Sequence, residues 1–514
     1  MNSTMTPLTL DGGSLDFSAL IRIGQGRVPL AADEAARVRV RRGRTELEAA
    51  IAAGVPVYGA TTGVGALKDM TLEAADFDGF NAGLVHAHHF GTGAPFPDKV
   101  VRAAIAIRVN TALCGRIGCT ETLLDALIAL LNKGVVPVVR RTGSIGCADI
   151  GLMGQIGAVL TGVGEAIYAG RRLPAAVALA EAGLSPLRMV IKDSLTSISS
   201  NAVGHAAAAF ALRQAAEAIR MLLASGATAA CAMGASCDPW EAAAHVGTAG
   251  EAAVGRWLHT VSRSSGIPIA THVQDPLSLR MMAQVYAVVF DTLASAGRTT
   301  LAATGRSDDN PIIVDGRVLT SGGSLPLDVA IAMQANSLVF AHAARNTFNR
   351  CVLIGNGRRR ELPLNLVPRH TVATGFGPVV KLAGELFARV LSLTHPISAQ
   401  SLVVADGLED EAAFLPLIVE RFERQIAAVR RLAALEALLA AQAIDLMGDR
   451  PAGMVAMIHG VVREHAAFYD VDRPLSAEVE AIEAALSSHA VLKRLLAGGP
   501  MSDIDNFFAL EHPV

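Results

Sequence analysis

The amino-acid sequence predicts a mainly α-helical protein of long, closely packed helices. Of its 514 residues 51% are hydrophobic but only 4% aromatic, so the core must be largely Ala, Leu and Val. Alanine leads the helix propensities, and small side chains let helices approach closely. Two stretches, 192–210 and 408–447, read as long Ala-rich or amphipathic helices. No repeat of about 20 to 50 residues and no low-complexity linker interrupts the chain. The length fits roughly two to four domains or one large helical body. We divide it into an N-terminal part (1–194), a central helical bundle (195–407) and a C-terminal helical part (408–514).

Several classes of function are disfavoured at once. A net charge of −3 gives no electrostatic footprint for nucleic acid. No run of about 20 apolar residues escapes charged or polar interruption, so no membrane span is expected. The opening MNSTMTPLTLDGG lacks a basic segment followed by an apolar one, which points to the cytoplasm. Six cysteines show no metal-ligand or redox spacing and read as reduced thiols.

Taken in order, a short β-prone opening leads to a helix that Asp33 can cap and Gly54 ends. The segment Val55–Gly65 holds too many Gly and Thr for a helix, and its loop carries Tyr58, one of only four tyrosines. His86, His88 and His89 lie together, but an i,i+2 pair does not face one ion from a helix, and no carboxylate follows at ligand spacing. No metal is therefore expected. Helices through 100–115 and 121–134 lead to RRTGSIGCADIGLMGQIGAVLTGVGEA (140–166), a Gly-rich turn entering an apolar helix. Downstream come KDSLTSISSNAVGHAAAAF (192–210), HVQDPLSLRMMAQ (272–284), SDDNPIIVDGRVLTSGGSLP (307–326), a helix carrying Lys381, Glu385 and Arg389 at i,i+4 spacing, and GLEDEAA (407–413). Arg280 suits a carboxylate, because a guanidinium can grip both oxygens. The three charges at 381, 385 and 389 fit a solvated face equally well.

These motifs, in order and spacing from about residue 30 to 500, resemble the aromatic amino acid ammonia-lyases. In that family an Ala-Ser-Gly tripeptide cyclises and dehydrates to methylidene imidazolone, the electrophile that activates the substrate amine. Here Gly143, Ser144 and Gly146 match the lead and Gly162, Gly164, Glu165 and Ala166 match the close. Between them stands Cys147-Ala148-Asp149, one residue short, with no β-hydroxyl on Ala148 to lose as water. Ser199 occupies the position of a cofactor-supporting asparagine, Leu277 that of a family tyrosine, Leu325 that of a substrate-facing phenylalanine, and Arg389 that of the catalytic glutamate.

The resemblance implies a homotetramer with active sites shared between subunits, acting on a small amino acid or betaine. It implies Tyr58 as the base, Arg280 and Asn310 on the substrate carboxylate, and His88, Gln274, Ser199 and Arg389 among the substrate contacts. Lys381 and Glu409 are the candidates to hold the substrate ring. A site that cannot build the electrophile suits a substrate whose nitrogen is already quaternary, as in the branch of the family that expels trimethylamine from ergothioneine, the trimethylbetaine of thiohistidine. No cofactor is then required. The alternatives are an ammonia-lyase for histidine or another aromatic amino acid, and a non-catalytic ligand-binding relative.

Overall fold

The computed structural model describes residues 6–269, 273–400, 402–496 and 502–513. His272, the first residue of the HVQDPLSLR motif, lies outside them, as do the first five residues and 497–501. The protein is mainly helical, with β-structure confined to short two- and three-stranded pieces.

The N-terminal part follows its local signals. Asp33 caps α1 (Glu34–Ala52) by accepting from Ala36 N at 2.9 Å, and the helix stops before Gly54 in the left-handed conformation. Then come the loop of Tyr58, α2 (Phe77–Ala87) ending at His88, and α3 (Asp98–Ala112), almost wholly buried. A parallel pair, Leu8–Leu10 with Leu30–Ala32, meets the β-prone opening, and a helix at Phe17–Gly24 that sequence reasoning had not separated lies between them. The Gly-rich turn enters α4 (Ile150–Leu160), buried from Gly151 onward.

The long helix expected from 192 is broken. α5 (Asp193–Ile198) stops, Ser199 takes an extended backbone (φ −113°, ψ 92°), and α6 (Ala202–Ala232) starts afresh. Ser and Asn compete with helical hydrogen bonds through their own side chains. Here Ser200 Oγ and Asn201 N both donate to Asp308, at 3.1 and 2.6 Å. The second long helix also starts late: α11 runs Leu415–Leu446, preceded by a single 3-10 turn (Ala405–Gly407) and a loop, with Phe414 left-handed and Pro416 in the first turn. Proline suits a helix start, so Glu409 lies six residues before the helix begins.

Between these lie α7 (Leu277–Arg280), α8 (Met282–Ala303), α9 (Leu327–Gly355) and α10 (Gly377–Ser392). The bundle forms as α6 packs against α11, and α9 against α8, α10 and α11. One hydrophobic core takes residues from all three parts of the chain, from Leu10 to Leu510. All of α6 is buried except Gln214 and Glu217, which its alanines permit. Among the described residues no helix is long and apolar enough to cross a membrane.

One ion pair ties the bundle together. Arg350 of α9 grips both oxygens of Glu436 of α11 at 2.6 and 3.0 Å, with both side chains fully buried. Arg350 also donates to Thr347 Oγ1 and to Asn346. Replacing one partner strands the other charge in the core, so Arg350→Leu should lower unfolding stability by about 3–5 kcal/mol. Denaturant unfolding of the variant beside the parent measures this.

Candidate active site

A cavity of about 680 Å³ opens where the Tyr58 loop, the end of α2, the Gly-rich turn, the break between α5 and α6, the 308–324 segment and the 405–409 loop converge. Of the expected site residues, Tyr58, His88, Cys147, Ala148, Ser199, Asn310 and Glu409 line it. Leu195, Ile198, Ile150 and Leu408 give it apolar walls, so few polar groups set a ligand's orientation.

Each polar group is set by local structure. Tyr58 Oη accepts from Gly65 N at 2.9 Å, across a loop that a bridge between Thr62 and Thr71 closes. Burial raises the phenol above its ordinary value, and the charges of Glu409 and Cys147 add to this, while the Gly65 N–H opposes it. Within one chain, then, the surroundings oppose formation of the phenolate. His88 Nδ1 lies 2.7 Å from Leu84 O. A carbonyl only accepts, so Nδ1–H donates to it and Nε2 is the ring nitrogen left for a ligand. Asn310 Oδ1 accepts from Ser321 N at 2.8 Å, which leaves the NH₂ end for a ligand. Glu409 is held by the mutual backbone bonds of Val404 and Glu409, 2.9 and 3.3 Å.

The Gly-rich turn forms the floor. Ala148 (φ 57°) and Asp149 (φ 43°) are both left-handed, a conformation costing non-glycine residues about 1–3 kcal/mol each. Ala148 N donates to Ser324 O and Ala148 O accepts from Ser200 N, both at 2.9 Å. Asn201, at the break, donates its amide to the same Ser324 carbonyl at 2.9 Å. The Asp149 side chain points away from the cavity into the core, where burial pushes it up to about 6. Cys147 Sγ lies 3.4 Å from Ser324 Oγ, and burial raises the thiol, with Glu409 and Asp149 adding to the effect.

Behind the cavity is a network that sequence reasoning missed. Arg108 grips Asp309 at 2.7 and 3.1 Å, donates to Thr196 O at 2.9 Å and stands 3.8 Å from Asp308. Lys192, fully buried and pushed down to about 8 by that burial, reaches Pro311 O at 3.4 Å and Asp309 at 4.0 Å. Together they fix the turn that presents Asn310. The available signal was Arg108 in the otherwise apolar run AAIAIRV (103–109) and two adjacent aspartates before Asn310. Ser321, Ser324 and Lys68 also line the cavity without having been singled out.

Four expected site residues are not brought to this cavity by their own chain. Lys381 and Arg389 are exposed on α10; Arg389 pairs with Glu385, and Lys381 has no ion pair among the described residues. Gln274 is exposed, and Arg280 is half-exposed at the end of α7. Arg280 is nonetheless rigidly mounted. Asp275 accepts from Ser236 N and pairs with Arg359, Trp240 Nε1 donates to Leu279 O at 3.1 Å, and Asn346 donates to Ser278 O at 3.1 Å. The motif's aspartate is thus an anchor and its arginine projects from it. No cluster of three or more His, Cys, Asp or Glu able to hold a metal occurs among the described residues.

This helical bundle with a tyrosine loop facing a Gly-rich turn defines the class. The chain belongs to the aromatic amino acid lyase family: the family profile described as "aromatic amino acid lyase" matches residues 15–464. Members of that family are carbon–nitrogen lyases. The chain is 30% identical to the histidine ammonia-lyase of Salmonella typhi over 506 residues, covering 96% of this chain and 99% of that protein. It is 31% identical to that of Anaeromyxobacter sp. (strain K), covering 93% and 98%. Among solved structures it is similar to the ergothioneine-degrading enzyme ergothionase of Treponema denticola, with a TM-score of 0.91 and 26% identity over 96% of this chain and 100% of that one. The histidine ammonia-lyase of Trypanosoma cruzi shares the fold at a TM-score of 0.87 and 21% identity, over 99% and 98%.

A raised thiol is protonated at neutral pH and nucleophilic only above its pKa. Iodoacetamide should therefore label Cys147 slowly at pH 7 and faster as pH rises past 9, with a cavity ligand protecting it. Peptide mapping after timed labelling reads this; rapid labelling at pH 7 would contradict the assigned environment.

Proposed function

We propose that this protein eliminates trimethylamine from ergothioneine, giving thiourocanate, without a methylidene imidazolone. The observation that carries the reading is the floor of the cavity. Making the imidazolone requires a serine whose β-hydroxyl leaves as water and a following residue whose nitrogen closes the ring. Ala148 has no β-oxygen, and the chain continues directly into Asp149, whose carboxyl is buried and bonded to Ser144 and Gly204. The residues present do not fit the group. Ammonia is a poor leaving group without such activation, whereas a quaternary ammonium departs as a neutral amine and cannot be disarmed by losing a proton first. The resemblance to ergothionase supports the same substrate; the histidine ammonia-lyase relatives would favour histidine, which this floor is not equipped to activate.

In this reading Tyr58, as phenolate, takes the proton from the substrate β-carbon. The C–H electron pair forms the double bond, and the C–N pair leaves with trimethylamine. Asn310 donates to the carboxylate, His88 Nε2 and Glu409 accept ring N–H groups, and Ser199 borders the ring. Arg280, with Gln274, completes the carboxylate clamp, and Lys381 stabilises charge passing into sulfur. Those three, and Arg389, reach a site only from a neighbouring subunit, so the proposal includes a homotetramer. Exposed apolar residues on the outer helix faces, Val288 on α8, Ile331 and Leu338 on α9 and Leu391 on α10, supply surfaces for it. The ammonium of the bound substrate supplies the acidification of Tyr58 that the single chain lacks.

The direct test is release of trimethylamine from ergothioneine, with hercynine and histidine in parallel. Trimethylamine from ergothioneine is expected; ammonia from histidine in its place would overturn the proposal. Tyr58→Phe should lower kcat by about 10²–10⁴-fold, and unchanged turnover would remove the base.

The pH profile gives a second check. The free enzyme holds Tyr58 as a neutral phenol to high pH, so kcat/KM should rise with pH toward an alkaline limb. The bound cation lowers that pKa, so the limb in kcat should lie at lower pH than the limb in kcat/KM. Coincident limbs would contradict the role given to the substrate charge.

A further inference from the structure

The Gly-rich turn keeps a strained shape without a covalent ring. Consecutive left-handed residues, Ala148 and Asp149, persist only where the surroundings over-determine them. Two bonds act on the backbone of Ala148, from Ser324 and Ser200, and a third joins Ile145 O to Phe414 N at 2.9 Å, next to the start of α11. The remaining constraint passes through one side chain. Asp149 Oδ1 accepts from Ser144 Oγ at 2.6 Å, and Ser144 Oγ in turn accepts from Gly146 N at 2.9 Å. Asp149 Oδ2 accepts from Gly204 N at 2.8 Å, in the first turn of α6, where backbone N–H groups lack helical acceptors.

The packing is arranged for this carboxylate. A Cβ on Gly204 would stand 2.9 Å from Asp149 Oδ2, so a side chain there would crowd the carboxylate. A Cβ on Gly146 would meet Phe414 N at 2.3 Å, so only glycine lets the turn lie against the segment leading into α11. Asp149 itself is fully buried and reaches no ligand in the cavity. Its neighbours Cys147 and Ala148 do line the cavity.

We infer that Asp149 is a positioning residue: by joining Ser144 to the first turn of α6, its carboxylate holds Cys147 and Ala148 as a fixed wall beside the departing amine. Hydrogen bonds thereby take over the shape-keeping that a main-chain ring performs in relatives that make one. The inference rests on the reading of this floor as lacking that ring. It also names the feature that sets how closely the departing trimethylammonium group is confined, because residues 147 and 148 move with 149.

The experiment uses the full-length protein with Asp149→Asn and Ser144→Ala. Asparagine keeps the size but sets an NH₂ against a donor on one side; alanine at 144 removes the Ser144 arm alone. A wall that loosens leaves ground-state binding largely intact and misplaces the transition state. Asp149→Asn should therefore lower kcat for trimethylamine release by about tenfold or more, with KM changed by less than about twofold. Ser144→Ala should show the same split at a few-fold. Amide hydrogen exchange across 142–150 should accelerate in both variants, without ligand present. If Asp149→Asn does not fold, Ser144→Ala alone carries both readouts. Unchanged exchange, or kcat and KM falling and rising together in proportion, would overturn the inference. Absence of trimethylamine release by the parent protein would sink the substrate reading and leave the exchange result to stand or fall by itself.

Discussion

Two carboxylates at the buried start of α6 govern the candidate site. A helix begins with N–H groups that have no helical acceptor, and burial denies them water. Here Asp308 accepts from Asn201 N and Asp149 from Gly204 N, one from each side of the helix end. Asp308 belongs to the turn that carries Asn310, and Asp149 to the turn that carries Cys147 and Ala148. Satisfying one helix end therefore sets the distance between the amide that would bind a carboxylate and the floor against which an amine would leave. Both carboxyls are pushed up to about 6 by burial, and Arg108 offsets part of that cost for Asp308.

The fold places these turns on a rigid base. α6 is packed on nearly every face, which alanine-rich helices tolerate because their backbones approach closely. A helix so confined cannot shift to relieve a misplaced loop, and the strain in residues 148 and 149 is carried by the bundle. The same holds for Arg280, which stands on a segment anchored by Asp275, Trp240 and Asn346. Sites assembled from loops keep their geometry when each loop is bonded to an element that does not move.

Much of this was legible in the sequence where the cause was local. The cap at Asp33, the Gly-rich loop of Tyr58 and the turn at 143–149 are written in residues a few positions apart. The break at Ser199 was not, because the partner that competes with the helix, Asp308, lies more than a hundred residues away. The late start of α11 was signalled by Pro416, which the amphipathic pattern of 408–447 outweighed. Family motifs named Gln274, Arg280 and the position of Arg389, and Lys381 was added as a new charge on the same helix, yet none of the four lines the cavity of Tyr58. Motifs report which residues recur together in a site, and they are silent on which subunit supplies each. Arg108 and Lys192 escaped notice because a buried charge is visible only once its partners are.

The account makes the chemistry depend on what the cavity floor is made of. A raised tyrosine, a raised thiol and a methyl group at residue 148 form an environment that supplies little charge of its own. The most direct test is the mass of the tryptic peptide between Arg141 and Arg171, taken from protein that is turning over ergothioneine. Its unmodified mass, with Cys147, Ala148 and Asp149 intact, is the predicted result. A peptide lighter by the waters lost in closing a ring would contradict the account.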